Sequence, residues 1–300
     1  MIVFNAISKS YGSVLAVEDI NLIVYKGELF GLIGPDGAGK TSLIRMLTTL
    51  LLADSGTIQF SGRNVVEDYL YVRNHVGYMP GTFSLYQDLS VEENLNFFAT
   101  SFGTTVQDNY EMIAPIYAQL EPFKKRRAGA LSGGMKQKLA LCCALIHKPE
   151  ILVLDEPTTG VDAVSRKEFW HMLQKLRADG LTIFVSTPYM DEAAMCDRVA
   201  LIQDGHIMDT ETPEGITHKF TDTLLALKGK YKQQTIDLLR SLTQVKNAFP
   251  FGDSIHITLK PNATSVEIEK ILEEHKVAYD TLDTIDPVIE DCFMDLMTTN

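Results

Sequence analysis

The sequence predicts an α/β protein with a mainly parallel core sheet, N-terminal antiparallel strands and an inserted helical lobe, followed by a small α+β C-terminal domain. Three observations carry this. Short apolar runs alternate with helical stretches between residues 150 and 203, the pattern of a parallel sheet with helices on its faces. A mainly helical stretch, about 85–145, interrupts that alternation. Near residue 212 the pattern restarts as an independent set of elements. The 300 residues are 45% hydrophobic and 22% charged, a globular composition with room for one large domain and a smaller companion.

The first 30 residues read as strands about a turn at Tyr11-Gly12-Ser13. Glu28–Ile33 is a short apolar strand, then a glycine-rich loop, then a helix expected over Thr41–Leu52. Ile151–Leu154, Thr182–Ser186 and Val199–Gln203 are expected strands; Met135–Ile146, Arg166–Ala178 and Asp191–Cys196 are expected helices. In the tail, Leu224–Lys228, Ser254–Leu259 and Tyr279–Thr284 read as strands. Gln233–Leu242, Ser265–Lys276 and Val288–Met297 read as helices. The implied β-α-β-β-α-β order is that of a split βαβ domain. The division expected is 1–215 and 216–300.

No apolar run reaches the roughly 18–20 residues that cross a bilayer, and Met1–Asn5 lacks the basic start and apolar stretch of a signal peptide. Any membrane role is therefore expected through a partner. The net charge of −12, with acid spread along the chain, argues against a nucleic-acid surface. Cys142, Cys143, Cys196 and Cys292 show no metal-ligand spacing and are expected to be buried thiols in a reducing cytoplasm. Lys124-Lys125-Arg126-Arg127 reads first as a solvated helix end or loop.

Gly34-Pro35-Asp36-Gly37-Ala38-Gly39-Lys40-Thr41, with Ser42 after it, fits G-x-x-x-x-G-K-[ST] between a strand and a helix. Glycines let backbone N–H groups face phosphates, and the helix N-terminus adds positive potential. Lys40 is expected at the β- and γ-phosphates of ATP, and Thr41 on Mg²⁺. Ile151–Leu154 ends in Asp155 and Glu156. Asp155 suits the metal, and Glu156 suits general-base orientation of an attacking water.

Leu131-Ser132-Gly133-Gly134-Met135-Lys136-Gln137, lying between those two elements, resembles the signature sequence of ABC ATPases, and the likeness covers about residues 1–215. The family is a branch of the P-loop NTPases. The resemblance implies a head-to-tail pair with a second ABC ATPase domain, sister or self. In it Ser132, Gly133 and Gly134 cap ATP on the opposite phosphate loop, and Asp162 touches the opposite site. Tyr11 resembles the aromatic that stacks on adenine. Similarity to bacterial drug-type exporter ATPases implies polytopic membrane subunits and a peripheral place on the inner face of the plasma membrane. The alternatives weighed are a non-hydrolysing nucleotide-binding subunit and a soluble ABC protein acting on ribosome or DNA.

Two positions depart from the family. Gly81, in Gly77-Tyr78-Met79-Pro80-Gly81, stands where a glutamine normally contacts Mg²⁺, the water and the membrane subunit. Pro188, in Val185–Glu192, stands where a histidine normally contacts the γ-phosphate; proline brings no polar group and no backbone N–H. Gln87, His171 and His206 are too distant in sequence to be assumed replacements. A site weakened for hydrolysis is expected.

Overall fold

A computed structural model describes residues 1–229 and 233–299. The chain divides into two compact units, Met1–Pro213 and Glu214–Asn300.

In the first unit β1 (Ile2–Tyr11), β2 (Val14–Val24), β3 (Leu29–Ile33), α1 (Lys40–Leu47), β4 (Ser55–Phe60), β5 (Arg63–Asn64), α2 (Tyr69–His75) and β6 (Val76–Met79) come first. The helical lobe follows, with α3 (Val91–Ser101), α4 (Tyr110–Tyr117) and α5 (Gly133–Leu145). Then come β7 (Ile151–Asp155), α6 (Ala163–Ala178), β8 (Thr182–Thr187), β9 (Arg198–Gln203) and β10 (His206–Glu211). The short α7 (Pro213–His218) opens at the boundary.

The central sheet runs β10-β9-β3-β8-β7-β6, all parallel except the edge strand β10. β3, β7 and β8 are buried along their whole length, which is why they read as unbroken apolar runs: a parallel strand is covered on both faces. The antiparallel sheet β2-β1-β4-β5 shares a core with it, built on Phe4, Phe60, Leu43 and Phe184 among others. α3 begins in a capping box in which Ser90 and Glu93 satisfy each other's backbone N–H. Asn94, fully buried, donates to the carbonyls of Tyr86, Leu89 and Ser90, fixing the loop before α3.

Two elements depart from the sequence reading. α1 stops at Leu47 rather than Leu52, because the Thr48 hydroxyl bonds back to the Ile44 carbonyl, Thr49 turns left-handed (φ +62°), and the N–H groups of Leu50 and Leu51 close on the Arg45 carbonyl. Residues Met190–Met195 form a 3₁₀ turn, with Glu192 drawn inward, rather than a helix over 191–196.

The second unit contains β11 (Leu224–Lys228), α8 (Gln233–Ser241), β12 (Val245–Phe251), β13 (Ser254–Leu259), α9 (Ser265–Glu274), β14 (Thr281–Thr284) and α10 (Ile289–Thr299). Its sheet order β12-β13-β11-β14, antiparallel throughout, is a split βαβ arrangement. The strand that sequence did not locate is β12; Pro250 sits in it, tolerated because β12 is an edge. Its own core includes Leu225, Leu239, Ile255, Ile257, Ile268 and Leu272. His256, 5% exposed on β13, is joined to the buried Asp291 of α10 at 2.7 Å. All four cysteines are buried and outside any disulfide. Among the described residues no helix is long and apolar enough to cross a membrane.

Candidate functional site: a phosphate loop facing two carboxylates

The turn out of β3 is made by glycines for steric reasons. A Cβ on Gly34 would lie 2.1 Å from the Ile202 carbonyl oxygen, since β9 runs directly alongside. Gly39 has φ +103° and a Cβ there would meet the Ala16 carbonyl oxygen at 2.4 Å. The chain can then enter α1 with Lys40. Only 3% of Lys40 is exposed; its ammonium donates to the carbonyls of Gly34 (2.8 Å) and Pro35 (2.9 Å) and lies 3.1 Å from Glu156 Oε1.

Opposite the loop, β7 delivers Asp155. Its Oδ1 accepts hydrogen bonds from Thr41 Oγ1 (3.1 Å) and Ser186 Oγ (2.8 Å). Burial raises the Asp155 carboxyl above its ordinary range, against the opposing pull of the bonds from Ser186 and Thr41. Burial also pushes the neighbouring Tyr78 phenol up to about 12, and the charge of Asp155 adds to it. A cation beside Asp155 would relieve this. The hydroxyl and carboxylate are hard oxygen donors, which suit Mg²⁺. No group of three or more His, Cys, Asp or Glu forms a metal cage among the described residues. The donor set thus fits an ion that takes its remaining oxygens from phosphate and water.

Glu156 is held left-handed at φ +49°, a conformation that costs a non-glycine residue about 1–3 kcal/mol and clusters at functional sites. Its N–H is fixed by the carbonyl and hydroxyl of Ser186, both at 3.1 Å, and its Oε2 lies 3.4 Å from the Thr159 hydroxyl. Gly81 reaches the same place: a Cβ on it would sit 3.0 Å from the Asp155 carbonyl oxygen and 3.9 Å from Glu156 Cβ. Lys40, Thr41, Asp155, Glu156 and position 81 therefore converge on one point.

None of the distant side chains considered as replacements is brought there. Gln87 packs against Gly129, whose N–H its carbonyl accepts. His171 is exposed on α6, and His206 faces Glu18 at 3.6 Å. Pro188 follows β8, half-buried. Tyr11, 47% exposed, places its hydroxyl 3.3 Å from Ser42 Oγ.

A second group forms around Ser165. Ser132 caps α5, accepting from the Met135 N–H at 3.4 Å. Gly134 comes so near α6 that a Cβ on it would lie 2.7 Å from Ser165 Oγ. Asp162 caps α6 by accepting from the Ser165 N–H at 3.0 Å, and that bond holds its carboxyl below the ordinary range. The sequence reading assigned no role to Ser165, Ser186, Arg166 or Glu192, although Ser186 and Glu192 both lie within the Val185–Glu192 stretch. The Lys124–Arg127 run is exposed, its backbone pinned by bonds from the Glu92 and Val91 N–H groups to the Lys124 and Arg126 carbonyls.

A strand, a glycine-built phosphate loop, a helix and two carboxylates on the next strand but one define a P-loop nucleoside-triphosphatase. The ABC transporter family profile matches residues 17–159. The probable multidrug ABC transporter ATP-binding protein YbhF of Escherichia coli (strain K12) is 37% identical over 286 residues, 94% of this chain but 49% of its own. The Nod factor export ATP-binding protein I of Burkholderia orbicola (strain AU 1054) is 40% identical over 216 residues, 71% of each chain. The chain spans about half the length of the first of these. Among solved structures, an ATP-binding subunit of an ABC transporter is 26% identical with a TM-score of 0.66, over 73% of this chain and 93% of that one. The dimeric cassette MJ0796, solved with ADP and phosphate, shares the fold at 23% identity and a TM-score of 0.64, over 71% and 98%. The chain belongs to the ABC transporter ATP-binding proteins.

Proposed function

We propose that this chain is the ATP-binding subunit of a membrane exporter with a partly degenerate hydrolytic site. The observation that carries the reading is the convergence of Lys40, Thr41, Asp155 and Glu156 beside a glycine at position 81. Lys40, with the loop amides, would neutralise the β- and γ-phosphates, and Thr41 and Asp155 would hold Mg²⁺, whose charge would stabilise the phosphate oxygens. Glu156 orients and deprotonates the attacking water. Tyr11 stacks on adenine. Ser132, Gly133 and Gly134 open α5 toward an anion held by a second ATPase domain, with Asp162 beside them.

Gly81 and Pro188 supply no side chain to the water or the γ-phosphate. This favours a pair of unequal sites, in which the chain completes a sister subunit's site better than its own. The names of the relatives, multidrug and Nod factor export, support the export direction. Polytopic membrane subunits and a peripheral position on the cytoplasmic face of the plasma membrane follow from it. A second reading, a binding subunit that does not hydrolyse, rests on the same two positions.

Calorimetric titration with Mg·ATP tests the site. Lys40→Ala removes a charge-assisted contact of about 1.5–3 kcal/mol, so affinity should fall roughly 10- to 100-fold. Equal affinity for both forms would refute it.

A further inference from the structure

Glu192 is a carboxylate only 3% exposed, and a buried charge of this kind persists only when its partners are in place. Its Oε1 accepts from Thr158 Oγ1 at 2.8 Å and from Arg166 Nε at 3.1 Å, and its Oε2 accepts from Thr187 Oγ1 at 2.5 Å. Thr187 Oγ1 in turn accepts from the Tyr189 N–H at 3.1 Å. The Arg166 guanidinium lies 4.1 Å from the Tyr189 ring centroid and also reaches both Asp191 oxygens, at 3.1 and 3.2 Å.

On the ATPase reading, the segments tied to this one side chain adjoin positions that face the terminal phosphate or the opposite site. Thr158 is two residues after Glu156, Thr187 immediately precedes Pro188, and Arg166 is one turn along α6 from its cap, Asp162. Pro188, which brings no polar side chain, therefore owes its placement to backbone, and Glu192 ties that backbone at the end of β8 to the connection after β7. We propose that Glu192 is a positioning residue for ATP turnover, setting the γ-phosphate side of the site by joining the β7–α6 connection to the end of β8. This rests on the ATPase reading above.

The role predicts discrimination between nucleotides, because the pinned segments adjoin the γ-phosphate, which ADP lacks. Calorimetry with ATPγS and with ADP should be run on the full chain as wild type, Glu192→Gln, Thr187→Val and Thr187→Ser. Glu192→Gln removes the charge facing Arg166, and Thr187→Val breaks the Oε2 contact without touching the carboxylate, so the pair remains informative if one variant folds poorly. Misplacing a reacting geometry by a fraction of an ångström costs about tenfold. ATPγS affinity should thus fall about 5- to 10-fold in both, with ADP affinity unchanged and Thr187→Ser like wild type. Single-turnover hydrolysis should slow about tenfold at saturation, with the half-saturating concentration raised in step with the lost ATPγS affinity. Unchanged ATPγS affinity, or equal losses for ATPγS and ADP, would overturn the proposal while leaving the ATPase reading standing. A wild-type chain that binds neither nucleotide would overturn that reading, and this inference with it.

Discussion

At the end of β7, Asp155 and Glu156 are held by Thr41, Ser186 and Lys40, whereas the two strands beside it, β6 and β8, run out into Gly81 and Pro188. The middle strand keeps a full set of polar partners; the positions that follow its neighbours, Gly81 and Pro188, bring no polar side chain. Binding phosphate and metal needs the first. Orienting water and the γ-phosphate, which is most of what a protein contributes to phosphoryl transfer, needs the second. On the proposed reading, the chain is equipped more completely for nucleotide capture than for hydrolysis.

Furnishing the bare strands should produce the largest change. Gly81→Gln with Pro188→His should raise steady-state phosphate release on the order of 10²-fold, by analogy with restoring a lost transition-state donor, and Glu156→Gln in that background should cancel the gain. A Cβ at 81 meets the Asp155 carbonyl oxygen at 3.0 Å, so Pro188→His alone should contribute more than Gly81→Gln alone. Brisk turnover by the unmodified chain would break the comparison.

Asp155 sharpens it from the other side. Its raised carboxyl favours folding when protonated, a contribution present below the ordinary value of 3.8 and lost as pH rises through the folded value. At neutral pH the charge therefore opposes folding. Asp155→Asn should raise the nucleotide-free Tm. The same variant should erase the extra stabilisation that Mg²⁺ gives in the presence of ATP. Differential scanning with and without Mg·ATP reads both, and a lowered nucleotide-free Tm would contradict the burial argument.

On the β6 side, His147 stacks on Phe102 with ring centroids 3.8 Å apart and lines a cavity of 470 Å³ with Val76, Met79 and Pro80. Burial lowers its imidazole from 6.5 to about 4. Its contribution to stability is present above pH 6.5 and declines as pH falls toward 4. The wild-type Tm should drop more steeply over that window than that of His147→Gln. Parallel slopes would assign the acid sensitivity elsewhere. The smallest effect is expected from ending the chain after Pro213: since the second unit has its own core, Mg·ATP affinity should stay within about twofold.

The phosphate loop and β7 were readable in the sequence because their chemistry is local: Gly34–Thr41 and Ile151–Glu156 each carry their own strand context. Glu192 was not, because its partners at 158, 166 and 187 meet it only after β7 and β8 pair and α6 folds back. Ser186 escaped for the same reason: it closes the apolar run Ile183–Val185, and only the pairing of β7 with β8 brings its hydroxyl to Asp155. The end of α1 depended on a left-handed Thr49, a conformation that threonine does not advertise. In the tail, the count of strands was readable from the order of elements, but Pro250 hid β12.

The contact between Gly134 and Ser165 makes these two positions a single unit of inheritance. No side chain at 134 fits while Ser165 Oγ occupies its place 2.7 Å from where a Cβ would stand, and a larger residue at 165 would press on the backbone of α5. A lineage could enlarge the first only after shrinking the second to glycine. The start of the signature helix can therefore drift only along a narrow, ordered path, and related chains that have lost the glycine should show the smaller partner beside it.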